Sequence, residues 1–121
     1  MRCPCLSGLP YTECCEPLHL GAAAPTAERL MRSRYSAFAV GNEAYLAATW
    51  HPSSRPADLT LNPDQKWVSL EIISRTKGGL LDTEGTVEFR AAYRFEGARY
   101  EQHETSKFVR LDKRWVYLSA S

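Results

Sequence analysis

The chain carries all of its cysteines within the first fifteen residues, and this clustering limits what the N-terminus can fold into. The four are Cys3, Cys5, Cys14 and Cys15. Residues 6–13, between the two pairs, include Gly8 and Pro10, which favour a chain reversal that brings the pairs together. Four thiolates around one point are the ligand set of a closed, tetrahedral zinc site. The spacing therefore predicts one zinc ion per chain.

Two disulfides between the pairs are the alternative interpretation. Cys14 and Cys15 are adjacent and cannot easily bond to each other without strain, but each could bond to an upstream cysteine. The chain begins Met1-Arg2 and has no apolar segment of the signal-peptide type, so we expect a cytoplasmic protein whose thiols stay reduced. In that compartment, clustered cysteines indicate a metal site.

Length and charge narrow the classes of function. The 121 residues are enough for one compact domain with a small appendage. The formal net charge is +1, and four thiolates with one Zn²⁺ would bring it to about −1. Arg29, Arg32 and Arg34 are clustered without a basic stripe of interleaved aromatic residues, so nucleic acid is not the expected partner. No apolar run reaches the ~18 residues of a membrane-spanning helix.

The middle of the chain predicts two helices after a connector at residues 16–24. The first begins around Thr26 and ends at Gly41, residue types that suit the two ends of a helix. Asn42 then caps a second helix that runs toward Trp50. The apolar face of the first helix comprises Ala27, Leu30, Met31, Arg34 and Phe38. The side chains expected to point away from it are Arg29, Arg32, Ser33 and Ser36.

From Trp67 onward the apolar period changes from 3.6 to 2, which is typical of strands. Val68, Leu70 and Ile72 are expected on the buried face of the first strand. The turns that separate the strands are Gly78-Gly79, Glu96-Gly97 and Asp112-Lys113. Helices followed by about four long antiparallel strands indicate an α+β fold, in which two helices pack on a curved sheet.

The chain around the cysteines reads Cys3-Pro4-Cys5-Leu6-Ser7-Gly8, then Tyr11 and Cys14-Cys15. This pattern resembles the SEC-C motif, a zinc knuckle found at the C-terminus of the SecA translocation ATPase and on other bacterial proteins. In that motif the last ligand is His or Cys, and Cys15 takes its place. Leu6 stands where the motif usually has Gly, a position that is not a ligand but that affects the local turn.

Four further segments extend the resemblance over the rest of the chain. They are Leu30-Met31-Arg32-Ser33-Arg34-Tyr35-Ser36-Ala37-Phe38, Thr49-Trp50-His51-Pro52, His103-Glu104-Thr105-Ser106 and Trp115-Val116-Tyr117. Together with the cysteines they resemble the YchJ family of small bacterial proteins. The resemblance implies a SEC-C-like knuckle with its connector over residues 1–20. It also implies a cone-shaped α+β domain, similar to nuclear transport factor 2 and cystatin, over residues 25–121.

Three residues are candidates for a polar centre inside the cone. Arg34 lies in the apolar stripe of the first helix, where a buried guanidinium needs an acceptor. Glu104 lies between aromatic residues on a strand, so we expect an Arg34–Glu104 pair, either as an internal salt bridge or as a binding or catalytic centre. His51 should end the second helix, either as a base at the cavity rim or as part of a packing and stop signal. No known catalytic constellation or phosphate loop is recognisable, and an enzyme is not favoured.

Two functions remain open. The favoured one is a non-enzymatic interaction protein whose SEC-C-like knuckle docks to a larger bacterial partner through Leu9, Pro10 and Tyr11, since the SecA copy of the motif is a partner-binding tail. The other is a small-molecule binder or enzyme that uses the cavity of the cone. We expect aromatic side chains to fill the cone, which favours the first function. They are Tyr35, Phe38, Trp67, Phe89, Tyr93, Tyr100 and Phe108.

Overall fold

A computed structural model of the chain describes residues 1–120. A 3-10 helix at Tyr11–Glu13 and a single-turn helix α1 at Glu16–His19 precede helices α2 at Ala27–Val40 and α3 at Glu43–Ala48. Four strands follow: β1 at Lys66–Lys77, β2 at Glu84–Phe95, β3 at Ala98–Leu111 and β4 at Arg114–Ala120. They form one antiparallel sheet in the order β1-β2-β3-β4. The predicted α+β fold, with a cysteine cluster and a few helices before a four-stranded sheet, is confirmed.

The helices begin and end at the predicted capping residues. The Thr26 side chain accepts a hydrogen bond from the first-turn backbone of α2 at 3.1 Å, and Gly41 ends that helix with a φ of +77°. Asn42 caps α3 in the same way at 3.0 Å. Part of the predicted connector, residues 16–19, forms α1 instead. Among residues 1–120, no helix is long and apolar enough to cross a membrane.

Helix α2 is buried on two sides, although its apolar periodicity predicted one. Ser33 and Ser36, expected to point away from the core, are fully buried because the N-terminal segment covers their side of the helix. Arg29 and Arg32, also expected to point away, donate hydrogen bonds to that segment. The prediction for these residues was wrong because apolar periodicity identifies only the apolar face of a helix. The second packed face of α2 contacts the N-terminal segment through polar side chains.

Strand β1 departs from the predicted alternation. Its pairing with β2 shifts register between Trp67 and Ser69 and again between Ile72 and Ser74. A bulge adds an unpaired residue to one strand and re-aims the side chains around it. Val68 is therefore 38% exposed, while Ile72 packs against the core as predicted.

The buried side chains form one continuous cluster. Its members on the sheet include Val87, Phe89, Phe108 and Trp115, and its members before the sheet include the four cysteines, Leu18, Leu30 and Tyr35. The N-terminal segment therefore shares its core with α2 and the sheet instead of standing apart from them.

The connection between β1 and β2 holds the sheet against the start of α2. The backbone N–H of Ala27 donates to the carbonyl of Gly78 at 2.9 Å. A Cβ atom added to Gly85 would lie 2.5 Å from the Gly78 Cα atom. Glycine at position 85 is thus required for this close approach of two backbone segments.

We expect Gly85→Ala to destabilise the protein by about 1–3 kcal/mol. The added methyl group would push β1 and β2 apart and would disturb their contact with the start of α2. The free energy of unfolding in urea measures the effect. Glu84→Ala, at the exposed neighbouring position, is the control and should change stability by less than about 0.5 kcal/mol. Equal stability of Gly85→Ala and the parent chain would contradict the packing argument.

Candidate functional site

The four cysteines meet at one buried point. Their sulfur atoms all lie within 4.8 Å of one another, and each residue is at most 2% exposed. Cys5 and Cys14 have sulfurs 3.6 Å apart, and those of Cys14 and Cys15 are 3.9 Å apart. These separations are too long for disulfides, whose S–S distance is ~2.05 Å. They match the ~3.8 Å edge of a tetrahedron with metal–sulfur bonds of ~2.3 Å. The cluster can therefore hold a metal ion.

Short turns in the backbone place the two cysteine pairs opposite each other. Cys3 N–H donates to the Leu9 carbonyl at 2.9 Å, and the Arg2 and Pro10 backbones form an isolated antiparallel bridge. The Leu6 N–H donates to the Cys3 carbonyl at 3.1 Å. The backbone of Leu6 is in the left-handed region, with a φ of +66°. This backbone conformation explains the glycine that the SEC-C motif usually has at the position of Leu6.

Serine hydroxyls hold the sulfur atoms from two sides. Ser36, on α2, donates to the Cys15 sulfur at 3.2 Å and lies 3.4 Å from the Cys3 sulfur. Ser7, in the loop, lies 3.1 Å from the Cys14 sulfur. Hydroxyl donors around metal-bound thiolates orient the ligands and stabilise their charge.

Arginine side chains from α2 cover the same cluster. Arg29 donates to the Cys14 carbonyl at 3.0 Å, and its second terminal nitrogen lies 3.6 Å from the Cys14 sulfur. Arg32 donates to the Cys5 carbonyl at 3.3 Å and to Glu28 at 3.1 Å. A tetrathiolate with a divalent ion carries a net charge of about −2, which nearby guanidinium groups offset.

Burial and contacts among the sulfur atoms shift the pKa values of three of the thiols. The hydrogen bond from Cys15 lowers the pKa of the Cys5 thiol to about 4, and the same contact raises the pKa of Cys15. Burial raises the pKa of Cys14. Four thiolates held this close together repel one another, so full ionisation of the cluster requires a bound positive ion.

His19 lies near the cysteines but is engaged elsewhere. Its Nε2 atom is 2.9 Å from the Ser33 carbonyl, which only accepts, so Nε2 carries the proton. Its Nδ1 atom then accepts from the Tyr11 hydroxyl at 2.6 Å. The bond turns Tyr11 toward the protein, whereas Leu9 and Pro10 are exposed. Of the three residues predicted as a partner surface, Leu9 and Pro10 face solvent and Tyr11 is half-buried.

A second feature is an open cavity between α2 and the sheet. It has a volume of about 440 Å³ and is lined by aromatic side chains that include Tyr35, Phe38, Trp67 and Phe89. Arg34, Gln102 and Glu104 also line it. The expectation that aromatic bulk fills the cone is therefore wrong.

Arg34 is buried in the wall of this cavity without the predicted partner. Its Nη1 atom donates to the Leu46 carbonyl at 2.9 Å and to the Thr49 hydroxyl at 2.7 Å. The guanidinium carbon lies 5.0 Å and 4.8 Å from the ring centroids of Trp50 and Tyr117, respectively. Burial lowers the pKa of Arg34 to about 10, so the group stays charged at neutral pH.

Glu104 lacks the partner expected for it, and His51 lies outside the cavity lining. Glu104 lines the cavity with Arg34, but it accepts a hydrogen bond from Gln102, and the described residues contain no Arg34–Glu104 ion pair. His51 lies after the end of α3, and its Nδ1 atom accepts from the Ser53 backbone at 3.0 Å. The predicted salt bridge is wrong because helix α3 supplies the acceptors of Arg34.

Trp50 and Tyr117 were not predicted as cavity residues. Backbone hydrogen bonds of 2.8 Å from His51 N–H to the Tyr117 carbonyl and from Tyr117 N–H to the Thr49 carbonyl fasten the end of α3 to β4. The two rings lie 5.0 Å apart and nearly perpendicular. The strand alternation places Tyr117 on the same face as Trp115, but its approach to Trp50 depends on this contact between distant segments.

The fold and the cysteine centre define a class of protein: a SEC-C-type knuckle packed on a nuclear transport factor 2-like α+β domain. Residues 26–120 match the family model described as YchJ, middle NTF2-like domain. The chain belongs to the YchJ family, as the resemblance implied.

Bacterial relatives match over nearly the whole chain. A UPF0225 protein of Streptomyces coelicolor is 51% identical over 116 residues, which cover 95% of this chain and 90% of the relative. A UPF0225 protein of Corynebacterium glutamicum is 48% identical over 117 residues, which cover 96% and 93%.

Solved structures share the fold and the motif. The solution structure of a SEC-C motif containing protein from Rhodopseudomonas palustris has a TM-score of 0.84 at 30% identity and covers 100% of this chain and 98% of that one. The crystal structure of a SEC-C motif containing protein from Psychrobacter arcticus has a TM-score of 0.78 at 29% identity and covers 97% and 80%.

We expect Ser36→Ala to lower metal affinity about tenfold, because two sulfur atoms lose the hydroxyl that orients them. Competition with a chromophoric chelator measures the affinity. Ser33→Ala is the matched control, since Ser33 is equally buried on α2 but bonds to the Leu30 carbonyl and the Tyr45 hydroxyl. It should lower stability and leave metal affinity unchanged. The same loss of affinity in both variants would contradict a specific role for Ser36.

Proposed function

We propose that the chain is a zinc-binding protein of the cytoplasm in which Cys3, Cys5, Cys14 and Cys15 hold one structural zinc ion. Soft thiolate ligands in a tetrahedral arrangement favour zinc, and burial of all four leaves no open position for catalysis. The likeness to SEC-C motif proteins supports the same interpretation. The metal fastens residues 1–20 to helix α2.

We expect the purified protein to hold one zinc ion per chain, and a chelator to release residues 1–20 while the sheet persists. Fifteen residues around a metal cannot bury a core of their own, so their order depends on the ion. The part of the chain from residue 25 onward has its own helices and sheet and should stay folded. Its melting temperature should fall, because release of residues 1–20 exposes core residues of α2 such as Leu30.

Metal analysis, thiol titration and NMR spectra recorded during chelation measure these effects. A cysteine-to-serine variant at Cys14 serves as the metal-free control and should reproduce the chelated spectrum. Two outcomes would contradict the proposal: four reactive thiols in metal-free protein that keeps its N-terminal fold, or one cooperative unfolding of the whole chain on chelation. The second would make the metal a clamp for the entire fold.

We further propose that the knuckle is a non-enzymatic docking site for a larger bacterial protein. The single observation that carries this proposal is Leu6, which is 55% exposed although its backbone is in the left-handed region. A non-glycine residue in that region costs about 1–2 kcal/mol, and an exposed side chain does not recover this cost through packing. Leu9, 49% exposed, and Pro10 are further exposed apolar residues of the same loop. Contact with a partner accounts for these three residues.

We expect Leu6→Gly to have opposite effects on folding and on partner binding. It should keep or increase zinc retention, because glycine adopts the left-handed backbone without cost. It should also lower the capture of partner proteins from a bacterial extract, quantified by mass spectrometry with the zinc-loaded protein immobilised. Leu81→Ser is the matched control, since Leu81 is 97% exposed in the loop between β1 and β2. The docking proposal fails if both variants capture the same proteins as the parent chain.

A second candidate function is the binding of a small molecule in the cone. The observation that favours it is the cavity of about 440 Å³, a volume typical of ligand sites. Its lining combines aromatic walls with a few polar groups, and it lies on the sheet away from the cysteines. The described residues that line the cavity include no paired nucleophile and base. We therefore favour a binding function without catalysis for this cavity.

A further inference from the structure

The cavity contains a buried positive charge without a negative partner. Arg34 is 4% exposed, and the oxygen atoms that accept from its Nη1 atom belong to a backbone carbonyl and a hydroxyl group, both neutral. Within residues 1–120, no carboxylate lies within ion-pair distance of it. The rings of Trp50 and Tyr117 offset part of the cost of burying the charge. A buried guanidinium is best stabilised by an anion, and the protein does not supply one.

A hydrogen-bond donor without an acceptor lies beside this charge. The indole Nε1 atom of Trp50 is the one buried side-chain nitrogen or oxygen among residues 1–120 that has no hydrogen-bond partner. Buried polar groups of folded proteins nearly always have a partner, so an orphaned donor calls for an explanation. Trp50 and Arg34 both line the cavity and are in contact with each other. The cavity wall therefore combines a buried cation that has no counter-ion with a neighbouring indole N–H that has no acceptor.

The rest of the cavity wall is largely aromatic and apolar. The Trp67 ring packs against Tyr35 and Phe38, with centroids 6.0 Å and 5.9 Å away. Phe89 and Ala91 form the floor on β2. Such a surface fits a planar apolar body, which stacks on aromatic rings.

We propose that the cavity binds a small planar organic acid, with its carboxylate directed at Arg34 and Trp50 and its apolar body against Trp67. The proposal rests on the second candidate function and adds the chemical class of the ligand. A carboxylate supplies both missing features, a negative charge for the guanidinium and an acceptor for the indole N–H. Glu104, on the same cavity wall, repels a second anionic group and so sets which end of the ligand enters first.

NMR of the indole N–H groups tests the proposal directly. The chain has three tryptophans, and the Trp115 indole already donates to the Pro25 carbonyl at 3.3 Å, so its resonance is an internal reference. Benzoate and 2-naphthoate are the probes, and benzamide and 2-naphthamide are their neutral counterparts. We expect saturable downfield movement of the Trp50 resonance with the acids, a constant Trp115 resonance, and affinity at least about tenfold weaker for the amides.

Two variants change the affinity in opposite directions. Glu104→Gln should tighten binding of 2-naphthoate about fivefold, because a repelling charge is removed from the cavity. Trp50→Phe keeps an aromatic ring beside Arg34 but removes the donor, and it should weaken binding about fivefold or more. Glu88→Gln is the matched control, since this partly exposed glutamate bonds to Ser74 and His103 away from the cavity. It should leave the affinity unchanged.

The outcomes separate the ligand class from the function of the cavity. Equal binding of acids and amides, or weaker binding of 2-naphthoate by Glu104→Gln, overturns the carboxylate assignment while the cavity remains a binding site. If none of the four probes moves the Trp50 or Trp67 resonance at millimolar concentration, both the assignment and the second candidate function are overturned. Opposite shifts in affinity for Glu104→Gln and Trp50→Phe support the assignment, and a purely structural role of these residues does not produce them.

Discussion

The burial of four clustered thiols is the constraint on which the rest of this structure depends. Sulfur ligands that carry negative charge cannot leave water unless cations and hydrogen-bond donors replace it. Helix α2 supplies both, through the Ser36 hydroxyl and the Arg29 guanidinium. The helix is consequently held by the N-terminal segment on one side and by the sheet on the other. A serine buried on a helix, otherwise unfavourable, is explained by this requirement.

The same helix joins the two candidate sites. Ser36 faces the cysteines and Arg34 faces the cavity, because residues two apart on a helix point in roughly opposite directions. The guanidinium is held by α3 and by the rings of Trp50 and Tyr117, which meet where the end of α3 joins β4.

The aromatic side chains do not fill the cone because several of them pack against one another along the sheet. Tyr93 lies 5.0 Å from Trp67 and 5.3 Å from Tyr100 between ring centroids, and Tyr93 and Tyr100 lie outside the cavity lining. Tyr100 is 45% exposed at the edge of this row. The bulges in β1 add to the effect, since they re-aim side chains along the strand next to the opening.

Local chemistry by itself determined the cysteine cluster, the caps at Thr26 and Gly41, the turns and the α+β order, because each depends on residues close in the chain. The family could be recognised for the same reason, from short motifs. The partners of Arg34, the burial of Ser36 and the open cavity were decided only by the tertiary structure. They depend on which distant segments meet: α3 with β4 at Trp50, and the N-terminal loop with α2. Periodicity along one element carries no information about the second surface that packs against it.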